Sequence, residues 1–450
     1  MTSPAPVVER APLSFNQQFL RVFDKGDGEG PFGPKYNIVC GWRIRGPIAV
    51  GPLHDALTDV VTRHEALRSR IVLDGEDGHQ EIFPPSRPSL VVKDLSGAEP
   101  DRRGPAAEEL LIEVESGAYG LEDLPLLRAF LGQFDSDDAI LVLVAHHTAA
   151  DEWSMRLIMR DLAVRYAIRT GELVPDLPPV RQYREFTRWQ QSSDADGRSQ
   201  RYWREKLDGA RIFATPTDHP RSANLPKETA WYRFSVEKEV TDRLTEVART
   251  TKSSPFMVLL AAYSVVLQRS SGLTDIVVPT FTSGRAHGGF HDTVGSFFNF
   301  VPLRMDLSGC ESFRQAVTRV RSTCLEAYTR DIPFAKILEE APELMSPAAA
   351  DDRAVLAFQV FRSPLGSDRH TVGGLEYAEF RERRLPQASG GDVPDGAMWH
   401  LELLPAGGIN GTLAYNTNLF LESTIAEMAA DFRQVLRSAV VALDAPLARF

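Results

Sequence analysis

At 450 residues the chain exceeds the roughly 250–300 residues that one hydrophobic core usually serves, so two sizeable lobes are expected. Hydrophobic residues at 43 % and charged residues at 25 % are ordinary for a folded protein, and a formal charge of −11 without a clustered Lys/Arg run argues against nucleic acid as a partner. Cys40, Cys310 and Cys324 lack the number and spacing of a disulfide framework or a metal site, and neither a secretory start nor a run of about 18 apolar residues is present, so a cytoplasmic protein with no membrane span is expected.

In chain order, Leu53, Leu57, Val60, Val61, His64 and Leu67 recur at helical spacing and predict a helix from Leu53 to Arg68. Ala139 to Ala145 is a continuous apolar run of strand length that ends in His146-His147, so a buried strand should deliver two histidines to its end. Helical spacing returns with Met155, Ile158, Leu162 and Tyr166 and stops at Gly171. Pro175, Pro178 and Pro179 mark a linker and predict a division into lobes 1–177 and 178–450.

Beyond it, Ser254-Pro255 opens a helix that closes at Gly272, followed by a strand from Ile276 to Thr282. Two further helices are predicted, one carrying Phe313, Val317, Val320, Cys324 and Tyr328 and the last carrying Ile425, Met428, Phe432 and Val435. Helices alternating with strands in both halves indicate an α/β protein.

A histidine at a strand end suits proton transfer, because an unperturbed imidazole pKa of about 6.5 leaves a large neutral fraction near neutral pH. Successive strand residues face opposite ways, so at most one of His146 and His147 reaches a given cleft if the strand stays extended. Asp151 stands four residues after His147 and is suited to hold the turn through hydrogen bonds or an ion pair with an arginine. The spacing alone leaves a packed, hydrogen-bonded His-His pair open as the alternative.

Taken together, several segments resemble the condensation domains of nonribosomal peptide synthetases, and the resemblance covers nearly the whole chain. Ser14-Phe15-Asn16-Gln17 is similar to that family's first motif, Arg63 to Arg68 (Arg-His-Glu-Ala-Leu-Arg) to its second, and His146 to Asp151 to its His-His-x-x-x-Asp core. Tyr183 to Trp189, Gly295 to Arg304 and Arg330 to Phe334 resemble the fourth, fifth and sixth, Phe358 to Leu365 loosely resembles the seventh, and Tyr415 to Phe420 resembles the carboxy-terminal segment.

This resemblance implies two chloramphenicol-acetyltransferase-like lobes arranged as a V around a central tunnel, and an acyltransferase that forms an ester or an amide. The catalytic role falls on His147, with His146 and Asp151 in support; Asp151 is expected to pair with an arginine, for which Arg63, Arg68 and Arg285 are the candidates. Asn299 is a candidate substrate donor or, equally, a turn-satisfying asparagine, and Trp203 a candidate tunnel contact or a packing residue. Glu152 occupies the place where the family usually has glycine; it is either a charged neighbour of the pocket or a carboxylate in the first turn of a helix, where it is favoured.

No metal or bound cofactor is implied, the phosphopantetheine being supplied with the donor on a peptidyl carrier protein. The other partner would be a small-molecule acceptor, alcohol or amine. The absence of room for adenylation or carrier domains before Phe450 leads to the expectation of a free-standing enzyme, similar to relatives that include the ester-forming enzymes of enediyne assembly. An epimerisation domain and a noncatalytic module that recruits a partner protein are the competing readings.

Overall fold

The apolar run at Ala139 to Ala145 forms the middle of a strand, Asp138–His146, in which every residue is buried. Its side chains divide by the two-residue period of a strand: Ala139, Leu141, Leu143 and Ala145 join one core, and Ile140, Val142 and Val144 join another on the opposite face. This is a computed structural model, and it describes all residues except 1–6, 25, 27–29, 75–77, 193–196, 286–288, 363–368, 382 and 394. The start of the amino-terminal stretch and the end of the seventh-motif stretch, at 363–365, therefore lie outside the described residues.

The chain divides into two units, Met1–Asp194 with Ser283–Phe298 and Pro364–Pro394, and Ala195–Thr282 with Asn299–Ser363 and Asp395–Phe450. Among the described residues of the first unit, the histidine strand is central in a six-stranded sheet ordered Arg369–Val372, Leu375–Glu379, Asn37–Arg45, Asp138–His146, Leu127–Asp135, Ser89–Asp94. All neighbours are antiparallel except the last pair, which is parallel. The helices Val50–Arg63 and Glu152–Arg169 cover one face through Leu53, Leu57, Val60, Met155, Ile158 and Leu162; Arg103–Glu115 covers the other through Leu110, Leu111 and Val114. A three-stranded sheet of Glu9–Pro12, His79–Ile82 and Ser69–Val72 completes the unit.

Among its described residues, the second unit holds a five-stranded sheet ordered Ala214–Pro216, Arg353–Arg362, Ala397–Leu403, Ile409–Asn416, Thr229–Val236, and a two-stranded ribbon of Asp275–Thr282 and Asn299–Asp306. Its core contains an aromatic cluster: Tyr263 stacks on Phe358 with ring centroids 4.6 Å apart, and Trp399 meets Phe432 at 5.2 Å. The helix Pro255–Ser271 begins and ends where its sequence signals stand. Ser254 Oγ accepts from the Met257 amide, Pro255 takes the first helical position, and Gly272 adopts φ +73°, a conformation that costs a side chain but not glycine. No single helix among the described residues is long and apolar enough to cross a membrane.

Two boundaries differ from expectation. The helix predicted to reach Arg68 stops at Arg63, and His64 is extended before a 3₁₀ turn at Glu65–Arg68. At the stop, Gln182 takes the freed backbone groups, donating to the Arg63 carbonyl and accepting from the Glu65 amide, both at 3.0 Å, while the fully buried Asp161 carboxylate is met by His64 Nε2 at 2.9 Å and Arg63 Nε at 2.8 Å. The expected division at 177/178 falls inside the first unit. Arg63 Nη2 donates to the Pro178 carbonyl at 2.7 Å, Gln182 Nε2 donates to the Arg63 carbonyl at 3.0 Å, and Tyr183 and Phe186 pack with Ala66, Phe290 and Phe297, so the proline-rich stretch is held within that unit.

Candidate active site

His146 closes the strand, paired in register with Asn37, and is 2 % exposed. Its Nε2 lies 3.1 Å from the Gly33 carbonyl, which can only accept, so Nε2 carries the proton. Nδ1 then accepts from Thr148, whose hydroxyl is 2.8 Å and whose amide is 3.3 Å away. Burial, the main cause, drives the ring's pKa down to about 4, which keeps it neutral.

His147 is the first residue beyond the strand and is half-buried. Its Nδ1 sits 2.9 Å from the Ala150 carbonyl, so here Nδ1 carries the proton and donates. The neutral ring then has its lone pair on Nε2, to which no group among the described residues donates a hydrogen bond. Its ring stacks on Tyr36, with centroids 4.9 Å apart and planes at 21°, and meets Phe298 at 5.6 Å and 60°. Adjacent histidines thus hold opposite tautomers, set by which carbonyl each ring meets.

Asp151 caps the helix Glu152–Arg169, its Oδ1 accepting from the Ser154 amide at 2.7 Å. Arg285 Nη2 donates to both carboxylate oxygens, at 2.8 and 3.0 Å, and the Phe297 amide donates to Oδ2 at 3.2 Å. The same guanidinium lies 4.0 Å over the Phe297 ring and donates to Ser154 Oγ at 2.8 Å. Ser154 in turn bonds the Gly295 carbonyl and amide, at 2.8 and 3.0 Å. Asp151 therefore sets the geometry of the turn and its neighbouring segment.

Of the three arginine candidates, Arg285 makes this pair. Arg63 serves Asp161 and the Pro178 carbonyl, while Arg68 donates to the Phe83 carbonyl and lies 3.6 Å from Glu65. Glu152 is in the first helical turn, its carboxylate 3.9 Å from Arg156 Nη1; Arg156 itself forks onto Glu379 at 2.8 and 3.1 Å. Asn299, in the second unit, has its amide committed locally: Nδ2 donates to Asp331 Oδ1 at 2.6 Å and to the Ile332 carbonyl at 2.8 Å, and Oδ1 accepts from the Phe334 amide at 3.1 Å. That side chain therefore ties its strand to residues 331–334, 32 to 35 positions further along the chain. Trp203 is 1 % exposed in that unit and donates to the Arg330 carbonyl at 2.7 Å, a packed position.

Several motif segments converge on the first unit. Gln17 Nε2 donates to the Thr148 carbonyl at 3.2 Å, Asn16 Nδ2 donates to Ser296 Oγ at 2.9 Å, and Tyr183 Oη donates to the Ser296 carbonyl at 2.7 Å. Sequence reasoning missed Tyr36, Ser154, Phe297 and Phe298 as site residues. The last two lay within the quoted fifth motif, and Ser154 three residues after the cap was a recoverable signal.

A family model described as "Condensation domain" matches residues 7–450. Phosphinothricin tripeptide synthetase PhsC of Streptomyces viridochromogenes is 31 % identical over 452 residues, covering 97 % of this chain and 40 % of the synthetase. Chondramide synthase cmdD of Chondromyces crocatus is 30 % identical over 447 residues, covering 97 % of this chain and 11 % of that synthase. The chain therefore spans less than half the length of either curated relative.

Among solved structures, SgcC5 of Streptomyces globisporus is 49 % identical with a TM-score of 0.94, covering 97 % of this chain and 100 % of that one. The first condensation domain of the calcium-dependent antibiotic synthetase shares the fold at 21 % identity and a TM-score of 0.77, covering 99 % of each chain. Condensation domains have the two-lobe chloramphenicol-acetyltransferase-like fold and are acyltransferases that form amide or ester bonds in nonribosomal peptide synthesis. With the match running from residue 7 to residue 450, this chain belongs to the condensation-domain family.

Proposed function

We propose that the chain transfers an acyl or aminoacyl group from a phosphopantetheinyl thioester on a separate peptidyl carrier protein to a small soluble alcohol or amine, with His147 as the general base. The observation that carries this reading is the His147 hydrogen bond from Nδ1 to the Ala150 carbonyl, which leaves the Nε2 lone pair as the proton acceptor. In the step we infer, Nε2 takes the acceptor's proton as its oxygen or nitrogen attacks the thioester carbonyl. The tetrahedral intermediate collapses with loss of the thiolate, which recovers the proton from His147.

Asp151 has no part in that transfer in this account: its carboxylate is taken up by Arg285 and two backbone amides, and it acts by holding the turn. An alcohol acceptor, and so an ester product, is favoured by the SgcC5 structure, which is a complex with (R)-(-)-1-(2-naphthyl)-1,2-ethanediol and sucrose. Alcohols are less acidic and less nucleophilic than neutral amines and depend more heavily on a base. Action as a free-standing enzyme draws support from the 49 % identity to SgcC5, itself a free-standing condensation enzyme. A cytoplasmic setting is in keeping with three unpaired cysteines.

The test is product formation. The protein is incubated with a carrier bearing an aminoacyl thioester and with an aryl-1,2-ethanediol or the corresponding amine, and the products are read by mass spectrometry. Carrier-dependent ester is the expected result; binding of the carrier without turnover under conditions that support a known condensation enzyme would favour a recruitment module instead.

A further inference from the structure

We propose that Tyr36 is a positioning residue for His147, acting through the face of its ring and not through its hydroxyl. The inference rests on His147 being the base. Asn37 pairs with His146 across the antiparallel strands, and one residue beyond on each strand Tyr36 comes opposite His147, whose amide donates to the Tyr36 carbonyl at 2.9 Å. Residues directly opposite in an antiparallel pair project to the same face, so the chain itself presents one ring to the other.

The two rings stack with centroids 4.9 Å apart and planes at 21°, close to the near limit for aromatic pairs, while the Phe298 ring meets the imidazole at 60° and 5.6 Å. A stack this close restricts one motion in particular. Rotation of the imidazole about its Cβ–Cγ bond is what would carry Nδ1 away from the Ala150 carbonyl and turn Nε2 elsewhere, and it would drive the ring edge into the Tyr36 face. Tyr36 also meets His146 edgewise at 6.2 Å and 64°, so one buried ring contacts both histidines of the motif.

The hydroxyl is a poor candidate for proton transfer. Burial, with the Asp392 carboxylate as a lesser cause, holds the phenol well above its ordinary pKa, so it remains protonated at neutral pH. What Tyr36 supplies is orientation, and a misplacement of about 1 Å in a reacting group can cost on the order of 10²-fold in rate.

The experiment compares Tyr36→Phe, Tyr36→Leu and His147→Ala with the unaltered protein, each checked for a cooperative melt. Two readouts are taken: long-range ¹H–¹⁵N correlation of the His147 ring, which reports its tautomer without any substrate, and steady-state kinetics with an aminoacyl-carrier thioester and 1-phenyl-1,2-ethanediol. The expected result is a single Nδ1–H tautomer in the unaltered protein and in Tyr36→Phe, and a mixture in Tyr36→Leu. The Leu variant should lose roughly 10–100-fold in kcat with KM within about threefold, and Phe should restore it.

A Tyr36→Leu protein with one tautomer and full kcat overturns the proposal, as does a Tyr36→Phe protein impaired as badly as Leu. Should Leu fail to fold, Tyr36→Met keeps the buried volume without an aromatic face and carries the same comparison. Full activity in His147→Ala with a mixed tautomer in Tyr36→Leu would remove the base and leave the positioning intact; the reverse pattern would remove only the positioning.

Discussion

Arg285 Nη2 donates to both carboxylate oxygens of Asp151, at 2.8 and 3.0 Å, while its Nη1 donates to the carbonyls of Phe290 and Thr293, at 3.2 and 2.7 Å. One planar group therefore ties the cap of the motif helix to the segment that follows residue 289, with the arginine side chain 1 % and the aspartate side chain 13 % exposed. Removing one partner of a buried pair leaves the other uncompensated, at a cost of about 3–5 kcal/mol. Arg285→Ala should lose stability on that scale in urea unfolding followed by circular dichroism. Arg285→Lys should recover less than half of the loss, because an ammonium cannot reach the carboxylate and both carbonyls as a fork does; a Lys variant as stable as the unaltered protein would refute the fork argument.

Tyr183 occupies the space that a side chain at position 295 needs. A Cβ built on Gly295 would stand 2.1 Å from Tyr183 Cδ2, and the ring has no room to retreat, because it is fully buried and its hydroxyl is held at the Ser296 carbonyl. Gly295→Ala should cost about 1–3 kcal/mol by overpacking. The Gly295→Ala, Tyr183→Ala double variant should be less destabilised than the sum of the two single changes, and strict additivity in a double-mutant cycle would show that the clash is relieved some other way.

His146 gives the protein an acid liability whose sign is fixed by its lowered pKa. An unfolded histidine titrates near 6.5, whereas burial puts the folded ring at about 4. Between those values the unfolded chain binds the extra proton, so this residue's contribution is intact above about pH 6.5 and is lost as the pH falls towards 4. The loss between pH 7 and pH 5 is roughly 2 kcal/mol. His146→Gln, which has no titration in that range, should be less stable at pH 7 but should lose that much less on going to pH 5, as measured by urea midpoints at the two values. Equal pH sensitivity of the two proteins would remove His146 as the source.

The elements legible in the sequence were those whose signals are local. The unbroken apolar run of the histidine strand, the Ser254-Pro255 cap and the Gly272 stop needed no knowledge of the rest of the molecule, and all three stand in the structure. The end of the helix at Arg63 was hidden because the groups that hold that stretch are remote in sequence, Asp161 lying 97 positions on from His64 and Gln182 119 positions on from Arg63. Among Arg63, Arg68 and Arg285, nothing local separates the partner of Asp151 from the others; the paired residues are 134 positions apart in sequence, and only the fold brings them together.

The strand that carries Tyr36 to His147 was invisible for a related reason. Asn37–Arg45 interleaves Arg43 and Arg45 with its apolar residues, and Arg43 is accommodated by Asp138 on the neighbouring strand at 2.5 Å, a pairing no single segment announces. Where the proline-rich stretch was expected to divide the chain, composition marked a real interruption of regular structure, but hydrogen bonds to Arg63 hold it within the first unit.

The most direct test of the account is the single-turnover rate of ester formation by His147→Ala, from a carrier-bound aminoacyl thioester and an aryl-1,2-ethanediol. General-base catalysis is worth about 10²–10⁴-fold, and a loss in that range is expected with the cooperative melt retained, since the ring's hydrogen bond is a local one to the Ala150 carbonyl. An alanine variant that folds normally and forms ester within about threefold of the unaltered rate would contradict it.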